Sequence, residues 1–257
     1  MDLELAGRTA LVTGASRGIG LAIARELAGA GMATVLVARS GAALAGVAAS
    51  LPAPSLAVAV DLREPGAAAR AVTEAVGRFG RLDLLVNNAG ATRRGDFLEL
   101  TDADWTDGFA LKFFGAARLC RESWPHLRAT GGSIVNIGGV GGRAGALEAG
   151  IVGSVNAAVM HLTKTLAARG MADGVRVNAV NPGSIVTDRL AARIATLAAQ
   201  EGVTADEAAA RQAAKLGVSR FGQPDEIARV VAFLASPRSG YLQGAILDVD
   251  GGQNRAL

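Results

Sequence analysis

The sequence is poor in the residues that form disulfides, metal centres and aromatic stacks. Its 257 residues include one cysteine, one tyrosine and two histidines, and aromatic residues make up only 4%. The single cysteine, Cys120, excludes an internal disulfide and is typical of a reducing compartment. Because Cys120 lies in a helical pattern, we expect a packed and inert thiol. The isolated His126 and His161 have no metal-ligand spacing, so we expect no metal site.

Long apolar runs and a strong charge of one sign are also missing. No stretch has the roughly 18 uninterrupted apolar residues that a membrane span needs. The first strand-like run begins near Arg8, which leaves no room for a signal peptide. The net charge is +3, and the longest basic run is only Arg93-Arg94. These features argue against a membrane or nucleic-acid partner, and together with the single cysteine they favour a cytoplasmic protein.

Hydrophobic residues are abundant, at 50% of the chain, and strand-like runs alternate with helical patterns throughout. Strands that are apolar on both faces and separated by helices indicate a parallel sheet covered by helices. We therefore predict an α/β fold over residues 1–257. It is a single doubly wound, Rossmann-type domain of about seven strands with helices on both faces. Ligands of such sheets lie beyond the carboxyl ends of the strands.

The first glycine-rich stretch, Thr13–Gly20, follows an apolar strand-like run and opens an amphipathic helix. This is the context of a dinucleotide-binding fingerprint. Gly14 allows a tight reversal, Gly18 lets a pyrophosphate approach the backbone, and Gly20 lets the helix lie close to the sheet. The free N–H groups at the helix N-terminus attract phosphate.

Five strand-end motifs occur in order along the chain: Thr13–Gly20, Asp61-Leu62, Asn87–Gly90, Arg176–Gly183 and Asp250–Gly252. Together they resemble the short-chain dehydrogenase/reductase family over essentially the whole chain. The resemblance implies a bound nicotinamide dinucleotide and commonly a tetramer. We therefore expect a homo-oligomer, either a dimer or a tetramer, and a mixed oligomer stays open. A substrate-side lid is expected at about residues 184–220.

The resemblance also implies positions for the cofactor. Asp61-Leu62 would contact the adenine, Asn88–Gly90 would lie along the ribose and diphosphate, and Pro182–Thr187 would surround the nicotinamide. The expected cofactor-binding residues are Gly14, Ser16, Arg17, Gly18, Ile19, Gly20, Arg39, Asp61, Leu62, Asn88, Ala89, Gly90, Asn156, Pro182, Gly183, Ile185 and Thr187.

The residues after the second strand bear on the choice of cofactor. They read Ala38-Arg39-Ser40, without the carboxylate that an NAD site uses to bind the ribose 2′-OH. The guanidinium groups of Arg39 and Arg17 can instead pair with a 2′-phosphate. This pattern favours NADP(H), with NAD(H) possible. The alternative is that Arg39 is solvated and stacks on the adenine.

The usual catalytic residues of the family are absent. Its chemistry normally rests on a serine, a tyrosine, a lysine four residues after the tyrosine, and a helical asparagine. The matching positions here are Gly139, Val152, Asn156 and Lys112. The one tyrosine, Tyr241, stands just before the last predicted strand and is not followed by a lysine at that spacing. The chain therefore combines a cofactor scaffold with an atypical active site.

Three side chains are candidates for the roles of the missing catalytic residues. If Glu148 is desolvated near the vacated tyrosine position, its pKa would be raised. The alternative is that its carboxylate interacts favourably with the positive N-terminal end of the helix dipole. Lys112 either projects into the site as a proton donor or anion clamp, or extends to the surface. Asn156 can hydrogen-bond the nicotinamide ribose but carries no charge. Arg143 either binds a substrate carboxylate or is solvated.

We predict an NADP(H)-dependent oxidoreductase that acts on a carbonyl, an alcohol or an activated alkene with a non-standard proton donor. Such turnover is physically possible because positioning comes first and a general acid adds about 10²–10⁴-fold. The alternative is a catalytically degenerate NADP(H) sensor or supporting subunit. A non-redox lyase-type enzyme ranks third, because some relatives of that kind have lost the nucleotide-binding glycines that this chain keeps.

Overall fold

The computed structural model of the protein describes residues 2–255, and within them seven parallel strands form one sheet. Their spatial order is β3-β2-β1-β4-β5-β6-β7. The strands are Thr9–Thr13 (β1), Ala33–Ala38 (β2), Ser55–Ala59 (β3), Leu84–Asn87 (β4), Ser133–Ile137 (β5), Arg176–Pro182 (β6) and Ile246–Val249 (β7). The chain order reverses between β1 and β4, where doubly wound sheets open a ligand crevice. The predicted fold class is confirmed.

Helices cover both faces of the sheet. They are Gly18–Gly29 (α1), Gly41–Ser50 (α2), Ala67–Phe79 (α3), Asp102–Phe109 (α4), Gly115–Thr130 (α5), Gly150–Asp173 (α6), Asp188–Glu201 (α7), Ala205–Lys215 (α8) and Pro224–Ala235 (α9). Apolar residues of α1 and α9 form one core with the sheet. Those of α3 and α5 form a second core on the opposite face. No helix in residues 2–255 combines the length and the apolar character needed to cross a membrane.

The helical pattern from Asp102 to Arg128 is interrupted. Helix α4 ends at Phe109, and one π-helical turn, Ala110–Phe114, precedes α5. Lys112 is the central residue of this turn. Isolated π turns occur frequently at functional sites, so the interruption draws attention to Lys112.

The expected lid segment forms a small unit of its own. The base of the segment is closed by two backbone bonds: the Val186 N–H donates to the Gly222 carbonyl at 2.8 Å, and the Gly222 N–H donates to the Ser184 carbonyl at 3.0 Å. Helices α7 and α8 enclose a separate apolar cluster of Ile194, Ala198, Ala208, Ala213, Val218 and Phe221. The segment is therefore held at its two ends and packs around its own core.

Two helix boundaries differ from the sequence-based expectation. Helix α3, predicted from about Glu64, begins at Ala67, because Gly66 adopts a left-handed conformation with φ of 82°. Helix α6 continues past the predicted end at Arg169 to Asp173. Neither difference moves a strand end, so the edge of the sheet that carries the site is unchanged.

Candidate active site

The glycine turn after β1 is packed too closely for side chains at two positions. A methyl group at Gly14, whose φ is +66°, would lie 2.9 Å from Nδ2 of Asn88. A methyl group at Gly20 would collide with the Gly14 carbonyl oxygen. Gly20 therefore allows α1 to begin directly against the turn, which brings the first N–H groups of the helix to the crevice.

The end of β4 is tied to this turn across the crevice. The Thr13 hydroxyl oxygen accepts the backbone N–H groups of Asn88 and Ala89, each at 2.9 Å. In return, Nδ2 of Asn88 donates to the Thr13 carbonyl oxygen at 2.8 Å. Sequence reasoning missed the role of Thr13. The available signal was a hydroxyl side chain at the last position of a buried strand.

The residues at this end of the crevice fit a dinucleotide. No side chain among the described residues caps α1, so its first-turn N–H groups can serve a phosphate. Arg17 and Arg39 are exposed. A cleft of about 420 Å³ lies beyond β2 and β3, and its lining includes Arg39, Val60 and Asp61. The Asp61 carboxylate accepts the Arg63 N–H at 3.0 Å.

Other expected cofactor residues have structural contacts of their own. Leu62 is buried, and Ile185 is buried in the core shared with the sheet. The Gly183 N–H donates to the Val249 carbonyl at 3.1 Å, which extends the pairing of Pro182 at the end of β6. Ser16, Ile19 and Gly90 are partly buried along the crevice.

Thr187, the N-cap residue of α7, brings the lid segment over the glycine turn. A methyl group at Gly18 would lie 3.4 Å from Cγ2 of Thr187. The start of this segment therefore lies next to the glycine turn.

The second glycine-rich turn, Gly138–Gly142, lies close against helix α6. A methyl group at Gly142 would be 2.7 Å from the backbone nitrogen of Ala157, and one at Gly139 would be 2.7 Å from Nδ2 of Asn156. A side chain at residue 139 would therefore require the Asn156 amide group to move.

Lys112 points into the site rather than to the surface. Its Nζ donates a hydrogen bond to the Gly138 carbonyl oxygen at 2.9 Å. Its stem passes Gly90, where a methyl group would lie 3.0 Å from the Lys112 Cδ. Burial, with a smaller contribution from the charge of Arg189, lowers the pKa of Lys112 to about 8. The ammonium group thus lies at the carboxyl ends of β4 and β5.

Asn156 offers a second polar group at the same place. Its side chain is only 4% exposed, and its Oδ1 has no hydrogen-bond partner within residues 2–255. Buried amide oxygens are nearly always paired in folded proteins. An unpaired acceptor beside Gly139 is therefore suited to a donor on a ligand, such as a ribose hydroxyl.

Other candidates are placed differently from the expectation. Glu148 is exposed on the loop before α6, which contradicts the alternative of a desolvated carboxyl group. Arg143 is neither solvated nor free, because its Nε lies 2.8 Å from a carboxylate oxygen of Asp248. Tyr241 is fully exposed before β7 and does not replace the missing phenol.

Cys120 behaves as predicted. It is buried, and burial raises the pKa of its thiol to about 12, so it is inert as a nucleophile. The described residues contain no group of three His, Cys, Asp or Glu side chains that would suit a metal ion.

Comparison with known proteins agrees with this geometry. Residues 14–254 match the family profile described as "Enoyl-(Acyl carrier protein) reductase". The short-chain reductase protein NovJ of Streptomyces niveus is 38% identical over 251 residues, which cover 95% of this chain and 93% of NovJ. A cis-4-hydroxycyclohexanecarboxylate dehydrogenase of Sinomonas cyclohexanicum is 36% identical over 256 residues, or 98% of each chain.

Among solved structures, L-sorbose reductase from Gluconobacter frateurii, in complex with NADPH and L-sorbose, superposes with a TM-score of 0.95. It is 33% identical, and the match covers 100% of both chains. The chain therefore belongs to the short-chain dehydrogenase/reductase family, as its motifs predicted, and it is an oxidoreductase on a fold that binds nicotinamide cofactors.

Proposed function

We propose that this oxidoreductase catalyses the NADP(H)-dependent reduction of a carbonyl compound, or the reverse oxidation of an alcohol, with Lys112 as the proton donor. An activated alkene is the alternative substrate. The observation that carries the proposal is the hydrogen bond of 2.9 Å between Lys112 Nζ and the Gly138 carbonyl. It brings an ammonium group next to Gly139, the position at which the family resemblance implies a serine.

The chemistry of the ammonium group suits this role. An ammonium has three donors, and the Gly138 carbonyl takes one, so two remain for a substrate oxygen. A pKa of about 8 lies near the pH at which most enzymes work, which is where a general acid is most efficient. Glu148 is exposed and Asn156 carries no titratable proton, so neither competes for the role.

When bound, the nicotinamide supplies the hydride that reduces the carbonyl carbon. Lys112 donates a proton to the carbonyl oxygen, which becomes the alcohol hydroxyl, and the neutral amine then recovers a proton from water. The Asn156 side chain would hold the nicotinamide ribose. The N-terminus of α1 would hold the diphosphate.

The preference for NADP(H) rests on Arg17 and Arg39. Both are exposed, Arg39 lines the cleft beyond β2, and no carboxylate follows that strand directly. The carboxylate of Asp61 is already engaged by Arg63, whose guanidinium lies 3.4 Å away. The related L-sorbose reductase forms its complex with NADPH, which supports the same preference.

The role of Lys112 is tested with Lys112→Met, and Lys215→Met on α8 is the matched control. We expect kcat for reduction to fall about 10²–10⁴-fold in Lys112→Met, with the Kd for NADPH unchanged. The control should match the wild type. A panel of aldehydes, ketones and enones supplies the substrates. Full kcat in Lys112→Met contradicts the assignment.

Wild-type protein that binds NADPH but reduces nothing in this panel contradicts the proposed activity. That result would support the alternative of a sensor or a supporting subunit.

The cofactor preference is tested by calorimetry with Arg17→Gln and Arg39→Gln. Each change removes a charged hydrogen bond to the 2′-phosphate, so the Kd for NADPH should rise about tenfold or more while the Kd for NADH stays constant. If the affinities for NADPH and NADH fell equally, the two arginines would not bind the 2′-phosphate selectively.

A further inference from the structure

Three arginines outside the motifs come together near Lys112. Arg94 follows β4, while Arg189 and Arg193 lie on α7. Nη2 of Arg189 donates to the Gly90 carbonyl at 3.2 Å, so the start of the lid reaches the end of β4. Partial burial, followed by repulsion from Arg193 and Arg189, lowers the pKa of Arg94. The positive charge of Arg189 also lowers the pKa of Lys112.

These arginines lack the carboxylates that neutralise their neighbours. Arg93 pairs with Asp104 at 3.0 Å, but within residues 2–255 no carboxylate lies within ion-pair distance of Arg94, Arg189 or Arg193. The acid whose charge does act on Arg94 is Glu148. Arg94 therefore lies within electrostatic reach of two other arginines and of one acid. The three arginine side chains are exposed and have no carboxylate of the described residues at ion-pair distance, so they are open to an anionic group of a ligand.

An apolar rim lies beside the arginine cluster, which we define as Arg94, Arg189 and Arg193. Phe97 is 64% exposed and Leu147 is 85% exposed. Their two loops are joined by a hydrogen bond of 3.2 Å from the Gly95 N–H to the Glu148 carbonyl oxygen. Exposed apolar side chains next to unpaired guanidinium groups suit an organic anion better than an inorganic one.

We propose that the arginine cluster binds an oxyanion of the substrate, so that the substrate is an organic acid, either a carboxylate or a phosphate ester. Its carbonyl group would then lie next to Lys112. Guanidinium groups bind both oxyanions through paired N–H donors. The inference rests on the proposed function, because it names the substrate class for that same site.

Binding is tested without turnover. Calorimetry on the NADPH complex compares benzoate and phenyl phosphate with the neutral benzamide. We expect at least one of the two anions to bind tenfold or more tightly than benzamide, and the stronger anion identifies the substrate chemistry. The double variant Arg94→Gln/Arg193→Gln should lose this difference. A matched control is Arg25→Gln/Arg121→Gln, which changes exposed arginines on α1 and α5. Benzamide binding as tightly as both anions, or an unaffected cluster variant, overturns the inference.

A turnover measurement separates this inference from the proposed function. Wild-type kcat/KM for aromatic oxo acids is compared with that for their methyl esters, and tenfold or more in favour of the acids is expected. If acids and esters are reduced equally, the inference fails and the proposed function stands. If no carbonyl compound is reduced while the anion binds, the proposed function fails and the oxyanion site stands.

Discussion

Two glycine-rich turns lie at the same edge of the sheet and have opposite consequences. In the turn after β1, the glycines let α1 begin against the chain and leave its first N–H groups for a ligand. In the turn after β5, the glycines let the backbone close onto α6, with Gly142 against Ala157. The first turn leaves backbone N–H groups open to a ligand, whereas the second brings the backbone against a helix. The surroundings of a glycine, not its presence, decide its role.

Among the tests of this comparison, the largest effect is expected from a substitution in the turn after β1. In Gly20→Ala the new methyl group meets the Gly14 carbonyl oxygen, which cannot move without the strand. We expect a loss of about 10- to 100-fold in NADPH affinity and a lower Tm, measured by calorimetry and thermal unfolding. Gly29→Ala is the control, since a methyl group there meets nothing within 4 Å. That change should stabilise the protein by about 0.5–1 kcal/mol. If the two variants had the same NADPH affinity and Tm, the close packing at Gly20 would not be required for binding or stability.

The next effect concerns the acid beside the second turn. Because burial lowers the pKa of Lys112 from its ordinary 10.5 to about 8, the ammonium form required for reduction is lost above that pH. The kcat for reduction at saturating NADPH should therefore be constant below about pH 7 and fall tenfold per unit above pH 8. The opposite sign is expected for alcohol oxidation, which needs the neutral amine.

The matched variant for the pH profile is Lys112→Arg, whose guanidinium stays charged throughout this range. Its reduction should be slow, and its rate should show no decline near pH 8. A wild-type profile that is level from pH 7 to 9.5 would contradict the assignment of Lys112 as the acid.

The smallest effect sharpens the description of the second turn. Gly139→Ser places a Cβ 2.7 Å from Nδ2 of Asn156, so we expect a lower free energy of unfolding. Asn156→Ala should relieve the contact, and the double variant should then recover about 1–2 kcal/mol relative to additivity. Gly141→Ser is the control, because its nearest atom, Cγ1 of Val152, is 3.9 Å away. Strict additivity in chemical denaturation would show that the two positions are independent.

Much of the fold was predictable from the sequence, because its signals are local. Apolar strands that alternate with helical patterns along the chain predict a parallel sheet without any knowledge of the tertiary arrangement. The first glycine turn was predictable for the same reason, since strand, turn and helix are adjacent in the chain. The helix α4 pattern was less informative, because a single π turn at Ala110–Phe114 leaves no clear signature in the spacing of apolar residues.

The candidate site was predictable in part. The interpretation of Gly139, Val152 and Asn156 as the positions of the family's serine, tyrosine and lysine rests on spacing alone and stays a prediction. The sequence left two orientations open for Lys112, and only the packing of its stem beside Gly90 chose the inward one. For Glu148 the sequence left open a desolvated carboxyl group or a glutamate at a helix N-terminus, and the structure shows it exposed on the loop before α6.

The amino-acid sequence by itself determined the family and the order of the strands along the chain, because both depend on neighbours within a few positions. Only the tertiary structure decided which charges meet. Arg143 pairs with Asp248, 105 residues away, while Arg94 lies near Arg193 with no carboxylate partner within residues 2–255. Such pairings depend on how distant elements pack, and no local pattern encodes them.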